Sequence, residues 1–592
     1  MRHHQPRIVL AVAIVLAVVF AASGCGKTSA PATLVLLNGD IYTVDPAVPA
    51  AKALVITGNK ITAVCSTDKE ARKFIGEKTR VIDLEGKFVL PGLIDGHVHF
   101  AGAGGLLEDA NLLMVSDVLG LRKEIQRVVN LLDDDEWITD GMWGAYEQWA
   151  AGDAGQTAKA VKAPWRPNRA MIDDITPNHP CFLSRFDNRE WLANTRALAD
   201  AKLDKARMQG MEIGPDGVAT GIIFRPSPAY EALRKAVLPK SDMRLLDENR
   251  AALKVLRQSG ITEVHDIATP EQTKRFIELE ENGELTCRIW LRPDLTEGPK
   301  LKADGFTMGL HPKTKEKSFL LRYGALKGYI DGIMGNHSAL FFEPYTDQPG
   351  NYGNWRRHTS DDPKQLVGDM EKMYGLIKAG LDAGFIPNVH AIGDRGVAEM
   401  LDLYERLKNE GRDLKGFRVI HAQVIRPQDF PRFKALNVIA EINPYHISDD
   451  MRWMEERIGH ERSKGAYAFR SLLDNGATLS FGSDWPGTNA ALYEVHPRYL
   501  IYAAVTRQTL GGEPAGGWFP EQKITVEEAI RAYTINNAAA ALEADVRGSL
   551  TVGKFADVTI FDRNLIKVHP DEILNAEVTH TIVDGQIVFR KR

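Results

Sequence analysis

PGLIDGHVHF, residues 91–100, opens on a Pro-Gly pair, runs through a short apolar segment and ends with two histidines one residue apart. In an extended chain side chains alternate between faces, so His97 and His99 look the same way and their imidazoles can converge on one ion. The pair equally fits two polar residues on a partly exposed strand, because imidazole is an ordinary hydrogen-bonding group. The decision lies with the rest of the chain.

Seven more short β runs follow: ITEVHDIA, CRIWLRP, LRYGALKGYIDG, FIPNVHAIGD, FRVIHAQVI, NVIAEINPY and ATLSFGSDWP. Helical stretches separate them, which predicts a parallel sheet in an α/β protein. Eight such runs predict a closed (β/α)8 TIM-like barrel, whose chemistry sits at the C-terminal strand ends. Five of the eight end in residues suited to a hard or borderline metal: His97 and His99, then Lys327, His390, His421 and Asp484. Strand ends converge at the mouth of a barrel, so this repetition is what a metal site there requires. Imidazole and carboxylate suit zinc, with manganese or iron as alternatives.

The interval between the first and second runs is too long for a plain connection and is rich in Trp, Asp and Arg, which predicts an inserted subdomain over about 105–245 shaping the pocket. Residues 33–91 read as short β runs with hairpin chemistry at Asn38-Gly39 and Gly58-Asn59. The same vocabulary returns over 547–592. Neither half has enough strands to bury a core alone, so the two predict one small composite β-sandwich built from both termini, with the barrel over 92–546 between them.

The whole chain is 592 residues, 44% apolar and 26% charged, with a formal net charge of -5. That is a globular composition with no basic footprint for nucleic acid. The N-terminus departs from it. A basic leader, MRHHQPR, precedes the apolar IVLAVAIVLAVVFAA, which is shorter than the roughly 20 residues of a spanning helix. Small residues then lead to Cys25, so residues 1–25 read as an export signal. Ala22-Ser23-Gly24-Cys25 resembles a bacterial lipobox, which implies lipidation of Cys25, a short leash over 26–32 and a protein tethered on the cell-envelope side of a bacterial membrane. The remaining cysteines, Cys65, Cys181 and Cys287, are too scattered to indicate a disulfide framework or a thiolate zinc site.

Taken together, PGLIDGHVH, GITEVHD, LKGYIDGIMG, HAIGDRG, IHAQVI, FGSDWP, AAVTRQ, AYTINNAAA and GSLTVGKFADV resemble, in order, the blocks of the amidohydrolase superfamily, and within it the third amidohydrolase group with its N-substituted formamide deformylases. The resemblance covers nearly all of the chain after the leader. It implies a distorted barrel and a hydrolase acting on carbon–nitrogen bonds other than peptide bonds, with a small amide-type molecule as substrate. It implies one metal at His97, His99 and Asp484, a second at His390 and His421, and Lys327 carboxylated by carbon dioxide to bridge them. That carboxylation needs a neutral amine, so Lys327 is expected where desolvation and nearby cations depress its pKa; a structural lysine beside a single-metal centre is the alternative. A bound divalent ion lowers the pKa of water from about 15.7 to about 7, and Asp484 is expected to carry the proton to the leaving nitrogen. Homodimerisation is expected by analogy alone.

The candidate substrate residues are His265, His337, Arg395 and Arg189. His265 either lines the pocket, orients a ligand or is a satisfied structural histidine. Asp331 and Asp394 contact substrate or tie loops together, and Tyr445-His446 and Trp485 either supply walls or, as the first reading of such side chains, simply pack. Two departures from relatives stand out: Asp187-Asn188-Arg189 replaces DGH in the inserted region, and Ile420 replaces a glutamate just before the sixth-strand histidine. Arginine for histidine brings a fixed charge, which, with Arg185 nearby, predicts a substrate carrying an anionic group. An isomerase or decarboxylase of the same superfamily is the competing enzymatic reading, and a lipid-anchored binding protein the non-catalytic one. Six intact ligands argue against the latter.

Overall fold

The computed structural model describes residues 31–592 except 114, 145–164, 186–187, 204–207, 318, 357, 360–367 and 488–494. Cys25, the export signal and Asp187 lie outside the described residues. Among the described residues no helix is long and apolar enough to cross a membrane.

Outside the inserted interval, the β strands from Leu93 to Phe481 form two all-parallel sheets. The first contains β1 (Leu93–Val98), β2 (Ile261–Asp266), β3 (Arg288–Leu291) and β4 (Leu321–Tyr323), side by side in chain order. The second holds β5 (Leu326–Tyr329), β6 (Pro387–Ala391), β7 (Arg418–His421), β8 (Ile439–Ile442) and β9 (Thr478–Phe481), again in chain order. Nearly every residue in them is buried, as expected of parallel strands covered on both faces. Isolated parallel bridges join the sheets, Asp294 just past β3 to Lys327 of β5, and Val98 of β1 to Trp485 just past β9.

The structure corrects the count of eight runs, because LRYGALKGYIDG contains two strands. Its first half pairs with β3 and its second half starts the other sheet. The break falls at Gly324, where a Cβ would lie 2.3 Å from the Trp290 indole, so the chain passes that ring only without a side chain.

The helices between strands begin where capping chemistry dictates. Ser241 opens Asp242–Gln258, Thr269 opens Pro270–Glu281 and Asp369 opens Met370–Asp382, each side chain accepting from a backbone N–H of the first turn. Their apolar stripes join one large core with the strands.

Both termini contribute to the remaining sheets. Phe88–Pro91 pairs antiparallel with Val558–Phe561, and the six-stranded sheet they centre takes Asp40–Tyr42 and Ala50–Ala51 on one side, Val578–Val583 and Gln586–Arg590 on the other. A four-stranded sheet contains Leu34–Leu37, Ala53–Thr57, Lys60–Cys65 and Arg80–Asp83. Leu36, Leu54 and Ile56 of the smaller sheet share a buried cluster with Val558, Ile560 and Ile582 of the larger. Burial of each such side chain stabilises by about 1.5–3 kcal/mol. Ion pairs tie this region to the parallel strands: Arg288 of β3 holds Asp557 at 2.7 Å and Asp584 at 2.8 Å, and Glu263 of β2 meets both Arg322 and Arg547.

The long interval after β1 contains a six-stranded mixed sheet running from Ala110–Asn111 to Ala219–Phe224. Its attachment is ionic: Lys240 meets Glu248 at 2.6 Å, Asp140 at 2.9 Å and Asp109 at 3.1 Å, and Arg244 meets Asp109 at 2.6 Å.

Candidate metal centre

The C-terminal end of β1 is locked to the loop after β9 by backbone and side-chain hydrogen bonds. Asp484 N–H donates to the His97 carbonyl at 2.8 Å, and His99 N–H donates to the Trp485 carbonyl at 2.7 Å. Asp95, fully buried on β1, accepts from Tyr533 Oη at 2.7 Å and from the N–H groups of Ser483 at 2.9 Å and His97 at 3.1 Å. Burial still pushes its carboxyl up to about 6 against those three donors. The close approach explains the glycine of FGSDWP: a Cβ on Gly482 would lie 2.6 Å from the Cβ of His97. Asp484 follows with φ +60°, a left-handed conformation that aspartate tolerates.

These contacts bring three candidate ligands, two imidazoles and a carboxylate, to one point. Asp484 Oδ1 lies 3.2 Å from His97 Nε2 and 3.1 Å from His99 Nε2, and the donor atoms of the three residues lie within 4.8 Å of one another. His421 lies beside them, its ring centroid 5.1 Å from that of His97 and 4.5 Å from that of His390. Lys327, on β5, is almost wholly buried, and its Nζ sits 4.9 Å from the Tyr329 ring, which is itself 5.6 Å from His390. His421 and the following Ala422 have φ of +69° and +38°, so the chain is strained where it presents this candidate ligand.

Partners on the far side of each ring orient it. Glu441 Oε1 is 2.7 Å from His97 Nδ1, and Asn443 Oδ1 is 2.6 Å from His421 Nδ1. Both oxygens are acceptors, so each Nδ1 carries the proton and each Nε2 keeps its lone pair. His390 differs, with Nε2 3.1 Å from the Gly332 carbonyl and 3.3 Å from Asp331 Oδ1.

Among the candidate ligands, three buried atoms have no hydrogen-bond partner among the described residues: His97 Nε2, Lys327 Nζ and Asp484 Oδ1. Such orphans are costly, and the approach of His97 Nε2 to Asp484 Oδ1 at 3.2 Å fits a cation as the missing partner. The electrostatics agree. Burial, with the nearby Lys327 charge, lowers His97 to about 4, so its imidazole is neutral and able to ligate. Burial and Arg292 lower Lys327 to about 7, the condition set out above for carboxylation. Burial opposes ionisation of Asp484, yet the adjacent His97 and His99 hold its carboxyl well below the usual carboxylate range.

The candidate substrate residues fall elsewhere. His265 is fully enclosed, with Nδ1 2.9 Å from Arg418 and Nε2 3.2 Å from Glu263, so the reading in which it lines a pocket gives way to a satisfied imidazole beneath the centre. His337 is held between Asp347 at 2.7 Å and Arg457 at 2.8 Å. Arg395 reaches Glu399 at 3.4 Å and lies over the Trp355 ring. Arg189 is exposed at the start of the strand Glu190–Ala193 in the inserted sheet. Asp331 ties loops together, accepting from the N–H groups of Leu340, Ile392 and Gly393, and Asp394 accepts from Phe342.

Residues not foreseen as participants are Glu441, Arg292, Arg418 and Asn443. Their signal was present as charged or amide side chains inside the apolar runs NVIAEINPY, CRIWLRP and FRVIHAQVI, where a buried charge needs a partner. His446 was assigned to a wall; its buried Nε2 has no hydrogen-bond partner among the described residues and lies 3.9 Å from Asp484 Oδ2.

Comparison with known proteins gives the chain relatives along most of its length. Protein LONG AFTER FAR-RED 3 of Arabidopsis thaliana is 31% identical over 583 residues, covering 94% of this chain and 92% of that protein. N-substituted formamide deformylase of Arthrobacter pascens is 23% identical, covering 94% and 98%. The crystal structure of an uncharacterized metal-dependent hydrolase from Pyrococcus horikoshii OT3 superposes with a TM-score of 0.71 at 23% identity, covering 91% of this chain and 99% of that one, and shows a shared fold. The sequence profile of the amidohydrolase family matches residues 80–589, and this chain belongs to that family.

Proposed function

We propose that the protein is a metal-dependent hydrolase that cleaves an amide-type carbon–nitrogen bond other than a peptide bond. The observation that carries this reading is the grouping of the His97, His99 and Asp484 donor atoms within 4.8 Å of one another, with buried His97 Nε2 and Asp484 Oδ1 lacking hydrogen-bond partners among the described residues. His97, His99 and Asp484 would hold one divalent ion, with zinc favoured by the donor set, and His390 and His421 a second, with carboxylated Lys327 between them. A bound divalent ion would lower the pKa of water from about 15.7 to about 7 and polarise a carbonyl. Asp484 then takes the proton of the attacking water and delivers it to the leaving nitrogen, a role suited to a carboxylate kept ionised beside two imidazoles. Glu441 and Asn443 keep the lone pairs of His97 and His421 directed inward.

The two parallel sheets, with isolated parallel bridges between them, support a single distorted barrel around this centre, and the shared core of the terminal sheets supports a composite sandwich beside it. The lipid anchor at Cys25 on the cell-envelope side of a bacterial membrane is part of the same proposal.

Metal analysis of the purified protein is the first test, with one to two equivalents of zinc, manganese or iron expected. A His97→Ala, His99→Ala double variant should lose most of the metal and the activity together. Turnover of N-acyl, formamide or cyclic amide compounds with uptake of water supports hydrolysis. Release of carbon dioxide, or an isomer formed without water, would replace it with the decarboxylase or isomerase reading.

A further inference from the structure

We propose that Glu441 is the positioning residue of His97, fixing the imidazole as the tautomer whose Nε2 faces the metal centre. The inference rests on the metal-dependent reading above. Both side chains are completely buried, and Glu441 Oε1 lies 2.7 Å from His97 Nδ1. A carboxylate only accepts, so the imidazole proton is committed to Nδ1 and the lone pair to Nε2. That Nε2 has no hydrogen-bond partner among the described residues and sits 3.2 Å from Asp484 Oδ1. His97 is thereby orientated as a ligand before any ion arrives.

The carboxylate is itself clamped. Arg292 reaches Oε1 at 3.2 Å and Oε2 at 3.1 Å, and Arg418 reaches Oε2 at 2.8 Å. Arg292 also donates to the carbonyl of Gly96 at 2.9 Å, so one guanidinium grips both the carboxylate and the strand that carries His97. Arg418 is steadied in turn by His265 at 2.9 Å, and His265 by Glu263 at 3.2 Å. The two arginines come from the ends of β3 and β7 and meet Glu441 of β8, so three strands fix the distance from carboxylate to ring.

A competing role for Glu441 is that of plain counter-ion to two buried guanidinium groups, and the variants must tell the two apart. Glu441→Gln removes the charge between the arginines and is expected to lower Tm, which alone proves nothing about positioning. Glu441→Asp keeps the charge there but withdraws the carboxylate from His97 by about 1.5 Å, one carbon–carbon bond. We expect Glu441→Asp to melt near the wild-type temperature while binding zinc about 10–100-fold more weakly in chelator competition. The visible absorption of the cobalt-substituted protein should shift as well, because the ligand field senses His97 directly. Equal zinc affinity and an unchanged cobalt spectrum in Glu441→Asp would overturn the proposal and leave Glu441 a counter-ion. Wild-type protein that takes up neither ion would overturn the metal-dependent reading, and this inference with it.

Discussion

His446 shows how much one side chain in this site can carry. Burial lowers the pKa of its imidazole, so the ring is neutral, and Nε2 is directed to within 3.9 Å of Asp484 without a hydrogen-bond partner among the described residues. A neutral imidazole beside the carboxylate proposed to transfer the proton can orient the leaving group's N–H. His446→Ala should therefore retain wild-type metal content and lower kcat/KM about 10–100-fold on whichever amide the wild-type protein hydrolyses. Unchanged kcat/KM would reduce the residue to a packed wall. Ile420 is instructive at the same scale. It stands where the family resemblance leads one to expect a glutamate, and it pairs in register with Glu441 on the neighbouring strand. The carboxylate at this level of the sheet is supplied one strand away.

At the scale of elements, two devices hold the surroundings of the centre. Lys240 gathers Asp109, Asp140 and Glu248 where the inserted sheet meets the helix Asp242–Gln258. Lys240→Met should destabilise the protein by about 2–4 kcal/mol in urea unfolding, because Asp109 and Glu248 would remain buried with too few cations. The short helix Ile447–Asp450 ends in the buried carboxyl of Asp450, which accepts from Tyr467 Oη at 2.6 Å and from Gln423 Nε2. Burial pushes that carboxyl up to about 7 despite Tyr467 and Arg457. The unfolded chain ionises near 3.8, so between about pH 4 and pH 7 the unfolded state releases its proton first and the folded state loses stability as pH rises. Asp450→Asn lacks this titration. Its stability relative to wild type should rise across that window by up to about 4 kcal/mol, and a difference independent of pH would refute the assignment.

At the scale of the whole molecule, metal binding and tethering should be separable. Stripping the ion with a chelator should lower the melting temperature, since a ligand held at about 1,000 times its Kd stabilises the folded state by about 4 kcal/mol. Recovery on adding back zinc would show the loss to be specific. Cys25→Ser should move the protein from the membrane fraction to the soluble one without changing metal content, because the anchor lies far in sequence from every ligand. Retention in the membrane fraction would refute lipidation at that cysteine.

The sequence by itself determined that β runs alternate with helices, that candidate ligand residues stand late in those runs, and that both termini are rich in short strands. These are matters of local periodicity and residue chemistry, legible one segment at a time. LRYGALKGYIDG was misread as one strand because its break depends on the Trp290 indole, thirty-four residues upstream of Gly324. Glu441 and Arg292 were passed over because a charge within an apolar run has no meaning until its partner is known, and the partners lie on other strands. His265 could be read three ways until Arg418 and Glu263 were seen to occupy both its nitrogens. Only the tertiary structure decided which of these polar groups satisfy one another and which are left facing a common point, because hydrogen bonds and ion pairs act over a few ångströms in space while sequence records only distance along the chain.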